Sequence, residues 1–226
     1  MLAFLELAAV LIAVPMLGFL AVGLTGVVLQ DGISGSELLI VKLVELPMLL
    51  VFLGLVLRWQ GRSYRQLGWR FPARETWPDA RRGLLWIFPL LLLAFAVSAG
   101  LQELGFETTE PFALGGMLDI LALLAVGVIA GGIIEEIVFR GFVFQQIEAL
   151  LPRRGLTSAV QATALTSLVF AFLHAYEGPA AVGAILVVSI SLQVLYLRSG
   201  RRLLAPMVCH AGFNSVQIFL LAAATR

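Results

Sequence analysis

Seven apolar runs of about 20 residues divide the chain, near Leu2–Leu29, Leu38–Leu57, Leu84–Leu101, Leu118–Phe144, Ala159–Ala175, Ala180–Leu197 and Leu203–Ala224; runs of this length can cross the hydrocarbon of a bilayer as helices. In hydrocarbon every backbone N–H and C=O must find its partner inside the protein, which restricts spanning structures to helices and closed barrels. Continuous apolar runs select the helix. A mean hydropathy of +0.99 with only 13% charged residues excludes a soluble domain of ordinary composition. The expected fold is therefore all-α: a polytopic membrane bundle of about seven transmembrane helices enclosing an intramembrane polar cavity. The first run has no basic leader and is too long for a signal-peptide core, so it reads as a retained span. The fifth and sixth runs are separated only by Tyr176-Glu177-Gly178-Pro179, a helix-stop signal, so each can be short or tilted.

Charge falls between the runs and sets the expected orientation. Arg58, Arg62, Arg65, Arg70, Arg74, Arg81 and Arg82 crowd one segment against Glu75 and Asp79, and all four tryptophans (Trp59, Trp69, Trp77, Trp86) lie in or beside it. By the positive-inside rule this segment is cytoplasmic, with the aromatic rings at the headgroup level. A nucleic-acid patch is the other reading of so many arginines, and the flanking spans and interleaved tryptophans favour the membrane surface. The N-terminus then lies inside, the acidic loop with Glu103, Glu107 and Glu110 outside, Arg153, Arg154, Arg198, Arg201 and Arg202 inside again, and the C-terminus outside. The chain divides into two N-terminal helices (1–57), the basic interfacial segment (58–83) and a helical core (84–226). Lys42 and Glu45, three apart near the outer end of the second run, are expected to pair. The single cysteine, Cys209, rules out an intramolecular disulfide.

The fourth run carries Gly131-Gly132-Ile133-Ile134-Glu135-Glu136-Ile137-Val138-Phe139-Arg140. Ionisable groups there are expensive in hydrocarbon, so they face the bundle interior, have partners and mark a site by default. On an α-helix Glu136 and Arg140 share a face and form the natural ion pair, while Glu135 is turned about 100° away. Two carboxylates this close do not both ionise cheaply, and the unpaired one suits taking and giving a proton. A purely structural ion pair is the alternative.

Both histidines of the chain, His174 and His210, lie in apolar runs. A neutral imidazole in hydrocarbon needs a partner, and the carboxylates are the obvious ones. If the fourth and fifth helices form a hairpin turning near Pro152–Gly155, Glu135 and His174 stand at similar height. His210 sits close after Arg201, so its helix must begin deeper or tilt. Asn214 follows His210 by four and shares its face, giving two neutral donors one above the other, as an oxyanion site requires; an interhelical hydrogen bond is the plainer reading. Phe170 is expected to pack beneath His174, and Gly127, Gly131, Gly132 and Gly141 to let helices approach closely.

Glu135-Glu136-x-x-x-Arg140, Phe170-x-x-x-His174 and His210-x-x-x-Asn214, in this order and on successive runs, resemble the motifs of the CAAX protease and bacteriocin-processing (CPBP) family, over roughly Gly115 to Ala224. Arg65-Gln66-Leu67-Gly68-Trp69-Arg70 also resembles the segment that often precedes that domain. The resemblance implies an intramembrane endopeptidase in a bacterial inner membrane, related to the eukaryotic enzyme that trims prenylated CAAX proteins, with residues 84–226 as its protease core. By position it implies Glu135 as general base on water, His174 assisting, His210 and Asn214 at the oxyanion, and Glu136 and Arg140 as structural support. Its implied partners are membrane lipids and a protein or peptide substrate, lipidated or not, with no nucleic acid. The family has been described both as zinc-dependent and as glutamate-dependent, and Glu135, His174 and His210 could form an open zinc site. Glu136 would then have to act as base while paired with Arg140, and an ion-paired carboxylate is a poor base. We therefore favour glutamate-activated water with no metal cofactor, zinc being the alternative. A different class is a transporter or bacteriocin-immunity protein using Glu and His as a proton relay. Asn214 weighs against it, since a relay has no need of that donor.

Overall fold

The computed structural model describes residues 2–27, 33–109, 112–113, 116–152 and 155–224. Among the described residues the chain forms seven helices: α1 (Leu2–Thr25), α2 (Gly35–Trp59), α3 (Ala73–Glu103), α4 (Met117–Leu150), α5 (Leu156–Phe172), α6 (Pro179–Arg198) and α7 (Leu204–Ala224). Glu110, Arg153, Arg154 and the end of the first expected span lie outside the described residues. The bundle is all-α apart from a two-residue parallel pairing of β1 (Ile33–Ser34) with β2 (Phe112–Ala113). Six helices are long and apolar enough to cross a bilayer, and the chain is an integral membrane protein.

The departures from the expected spans have local causes. Helix α5 has only 17 residues, about 25 Å at 1.5 Å per residue, short of the roughly 30 Å of a hydrocarbon core. It stops because the chain turns at Gly178, whose φ of +89° suits glycine. That turn packs on the segment leaving α3: Thr109 N donates to Glu177 O at 2.8 Å and Ala180 N to Glu107 O at 3.1 Å. Pro179 then starts α6 at a position where its missing N–H costs nothing. Helix α3 instead begins at Ala73, well ahead of Leu84, so the last part of the basic segment is helical and continuous with the span. Helix α2 is started by Ser34, whose hydroxyl accepts from Glu37 N while Glu37 accepts from Ser34 N at 3.0 Å. Ser36 N and Oγ donate to Asp119 Oδ1 at 3.0 and 2.7 Å, pinning the starts of α2 and α4 together.

Two apolar cores hold the helices. One gathers Leu53, Leu57, Leu67, Phe139, Phe142, Phe144, Phe170 and Tyr196; the other gathers Leu90, Leu192, Leu195, Cys209 and Phe213. Large apolar residues such as Phe19, Phe88 and Leu118 face outward, as lipid-facing positions must. At the arginine-rich end, the short 3₁₀ turn Tyr64–Leu67 is wedged into the bundle. Gly68, at φ +104°, presses against Arg201 O, where a side chain would collide, and its carbonyl accepts from Leu203 N at 3.1 Å. Tyr196 donates to Leu67 O at 3.2 Å, and Arg201 grips Glu148 through two bonds of 2.6 and 2.8 Å.

Candidate active site

The middle of α4, Gly127–Val143, is wound as a π-helix, its ring of hydrogen bonds closing over one residue more than in an α-helix; Phe144 N bonds Phe139 O. Such widened turns are uncommon beyond a single turn and concentrate at functional sites. Glycines let α7 lie directly on this segment. A Cβ on Gly132 would stand 2.6 Å from Ala211 Cβ, and one on Gly127 3.2 Å from Asn214 Cβ. A Cβ on Gly131 would collide with Asn214 Nδ2 and stand 3.7 Å from His210 Nε2. Asn214 Nδ2 and His210 Nε2 therefore converge on the opening that Gly131 leaves.

Glu136 and Arg140 are both fully buried. Glu136 Oε1 accepts from His210 Nδ1 at 2.7 Å and lies 3.1 Å from Arg140 Nη1, close enough for an ion pair though not aligned as a hydrogen bond. Arg140 Nη2 donates to Ser189 Oγ at 3.2 Å, and its guanidinium lies over the Phe170 ring, 4.7 Å from the centroid. Phe170 is thus the centre of the cluster: its ring also meets Phe139 edge-on at 4.8 Å, His174 at 4.7 Å and His210 at 6.3 Å. His174 lies two residues past the end of α5 and donates from Nδ1 to Phe170 O at 2.8 Å, which leaves its Nε2 free of that bond.

Glu135 is half-buried and makes no ion pair or hydrogen bond with any described residue. It acts electrostatically on Tyr176, whose ring stacks beside His174 at 6.1 Å; burial first, then Glu177 and Glu135, push the Tyr176 phenol above its usual pKa. Glu135 and His174 thus share Tyr176 as neighbour. His210, whose depth is hard to place from sequence, stands level with Glu136, because α7 begins close beside Gly68 and Gly83 and enters the bundle at once. Two clefts are described and neither is lined by these residues: one runs along Gly54, Leu57, Arg58 and Tyr64, the other along Trp86, Pro89 and Leu93.

Residues 117–216 match the family described as Type II CAAX prenyl endopeptidase Rce1-like. This stretch is similar to that family. The matched stretch contains Glu135, Glu136, Arg140, Phe170, His174, His210 and Asn214. No curated protein and no solved structure matches the chain in the same way.

In this stretch the zinc set Glu135, His174 and His210 is not assembled: among the described residues no three His, Cys, Asp or Glu side chains converge as metal ligands, and His210 Nδ1 is engaged by Glu136. No step below is routed through a metal. Sequence reasoning missed Ser189 and Tyr176. Ser189 is one of two serines inside an apolar run, and Tyr176 reads as part of a helix-stop signal, so neither signals a contact with the motif residues.

Proposed function

We propose that the chain is an intramembrane endopeptidase that hydrolyses peptide bonds of membrane-associated proteins or peptides, prenylated CAAX-like ones among them, by glutamate-activated water. The observation that carries this reading is the convergence of His210 Nε2 and Asn214 Nδ2 on the Gly131 opening, in a stretch similar to the Rce1-like family. Glu135, one turn along from Gly131 and without an ion pair among the described residues, is the general base: it takes a proton from water as the oxygen attacks the scissile carbonyl and returns it to the leaving amine. His174, with Nδ1 committed to Phe170 O, holds that water through Nε2.

The carbonyl oxygen becomes an oxyanion in the Gly131 opening, where preorganised donors act strongly in a water-poor site. Asn214 gives one N–H to Gly127 O at 3.0 Å and keeps its second for the oxyanion. His210 donates its Nδ1–H to Glu136, so its Nε2 donates only when the ring carries both protons; a charged ring held against Glu136 then meets the negative oxygen directly. This refines the part of Glu136, which orients an oxyanion donor besides pairing with Arg140. In this reading the arginine-rich end is cytoplasmic.

The test is cleavage of a peptide library, prenylated and unprenylated, by detergent-purified protein, with products identified by mass spectrometry. Cleavage that depends on Glu135 and His210 supports the reading. A pure, folded sample that cleaves nothing in either library while binding or transporting protons would replace it with the relay class.

A further inference from the structure

Below the Glu136–Arg140 pair the bundle holds a column of polar groups, of which Gln193, Thr166 and Ser167 have no part in the fold or the chemistry above. On α6, Ser189, Gln193 and Tyr196 are spaced by four and then three, so they share one face. That face looks at α4, since Ser189 Oγ accepts from Arg140 and the Tyr196 ring meets Phe144 edge-on at 6.1 Å. On α5, Thr163, Thr166, Ser167 and Phe170 likewise share a face, and Phe170 carries the Arg140 guanidinium. Helices α5 and α6 pack on each other. Gln193 and Thr166 therefore lie one turn from Arg140 toward the arginine-rich end, and Tyr196 lies about 10 Å from the level of Ser189.

These groups are buried, with Gln193 and Thr166 each 1% exposed. Yet among the described residues Gln193 Nε2 and Oε1, Thr166 Oγ1 and Ser167 Oγ have no hydrogen-bond partner, and neither do Glu136 Oε2 and Arg140 Nε at the head of the column. Side chains that merely glued α5 to α6 would bond one another across the interface. Buried polar atoms in folded proteins are almost always bonded to protein or to ordered water, and water settles where several such groups face a shared space. At its lower end the column reaches the surface: Tyr196 accepts from the half-buried Gln145 at 3.0 Å.

We propose that the seam between the wide segment of α4, α5 and α6 is a hydrated path, a file of ordered water from Tyr196 and Gln145 past Gln193 and Thr166 to Arg140 and Glu136, which supplies the site with the water it consumes. The use of that water rests on the hydrolytic reading; its presence does not.

Radiolytic hydroxyl-radical footprinting separates the two, because radicals formed from bound water oxidise the side chains around it. In the full chain in lipid nanodiscs, Phe170 and Tyr196 are expected to be oxidised at least tenfold faster than Leu90 and Leu195 of the other core, after correction for intrinsic reactivity. Gln193→Leu is expected to cut Phe170 labelling several-fold, leave the melting temperature unchanged or higher, and lower turnover about tenfold at unchanged KM. Thr166→Val serves if that variant folds poorly. Phe170 and Tyr196 labelled no faster than Leu90 means a dry seam and overturns the proposal, whatever the activity. Labelling and turnover that ignore both substitutions overturn it too. If the protein cleaves no peptide yet the seam is labelled and Gln193→Leu dries it, the path stands and the hydrolytic reading falls.

Discussion

Two networks of arginines and carboxylates sit at different depths of the bundle, and they differ in what they leave unbonded. At the rim, Asp79 of α3 accepts from Arg202 Nε at 2.6 Å, from Arg202 Nη2 at 3.0 Å and from Arg82 Nη1 at 2.9 Å, and Glu75 takes Arg202 Nη2 at 2.9 Å. Both Asp79 oxygens are filled, and the bond to Asp79 holds the Arg202 guanidinium above its usual pKa. In the interior, one oxygen of Glu136 serves both His210 and Arg140 while the other, with Arg140 Nε, has no partner among the described residues. A closed network can only fix geometry, here the α6–α7 connection against α3. Open valence in a dry interior is costly unless something occupies it, and the proposed water path ends at the interior network for that reason.

The sharpest way to break this comparison is inside the site itself. Glu135→Gln is expected to fold normally, with a melting temperature equal to or above the parent, and to lose cleavage by orders of magnitude. Glu136→Gln and Arg140→Ala are expected to lose about 3–5 kcal/mol, because each strands a buried charge, with lower melting temperatures and poorer expression. Melting curves and turnover on the three variants side by side check both statements. A well-folded, inactive Glu136→Gln beside an active Glu135→Gln would exchange their roles.

Gly131→Ala comes next. Its Cβ meets Asn214 Nδ2, so the Asn214 amide must swing aside and give up its bond to Gly127 O at a cost of about 1 kcal/mol, and turnover should fall more steeply than stability. Equal activity in a Gly131→Ala variant would remove the opening from the mechanism. At the rim, Asp79→Ala leaves Arg202 without its main acceptor and should cost about 1–2 kcal/mol, with turnover per folded molecule unchanged. If it instead abolishes cleavage at full stability, the rim is part of the site and the contrast fails. The smallest expected effect is that of chelation. A zinc enzyme loses its metal to a strong chelator and regains activity with zinc; activity is expected to survive ortho-phenanthroline.

Much of the fold was legible because hydrocarbon leaves a segment few choices: a 20-residue apolar run becomes a helix wherever it sits, and α2, α6 and α7 lie close to where the runs predict them. The ends were not legible. The short α5 and the long α3 are set by contacts between distant segments, Glu177 with Thr109 and Asp79 with Arg202, and hydropathy carries no information about either.

By itself the sequence determined that this is a helical membrane protein and which few polar residues its interior must accommodate, since the cost of placing them in hydrocarbon is a property of the residues alone. Only the tertiary structure decided who partners whom. Helix spacing reads Glu136 with Arg140, but not the hydrogen bond from His210, 74 residues further along. Nor does it read the widened turn of α4, the glycine face that brings Asn214 onto Gly127, or the Ser189 hydroxyl at the guanidinium. Each depends on how closely two helices approach and at what depth one crosses the other, and that is decided by packing across the whole bundle.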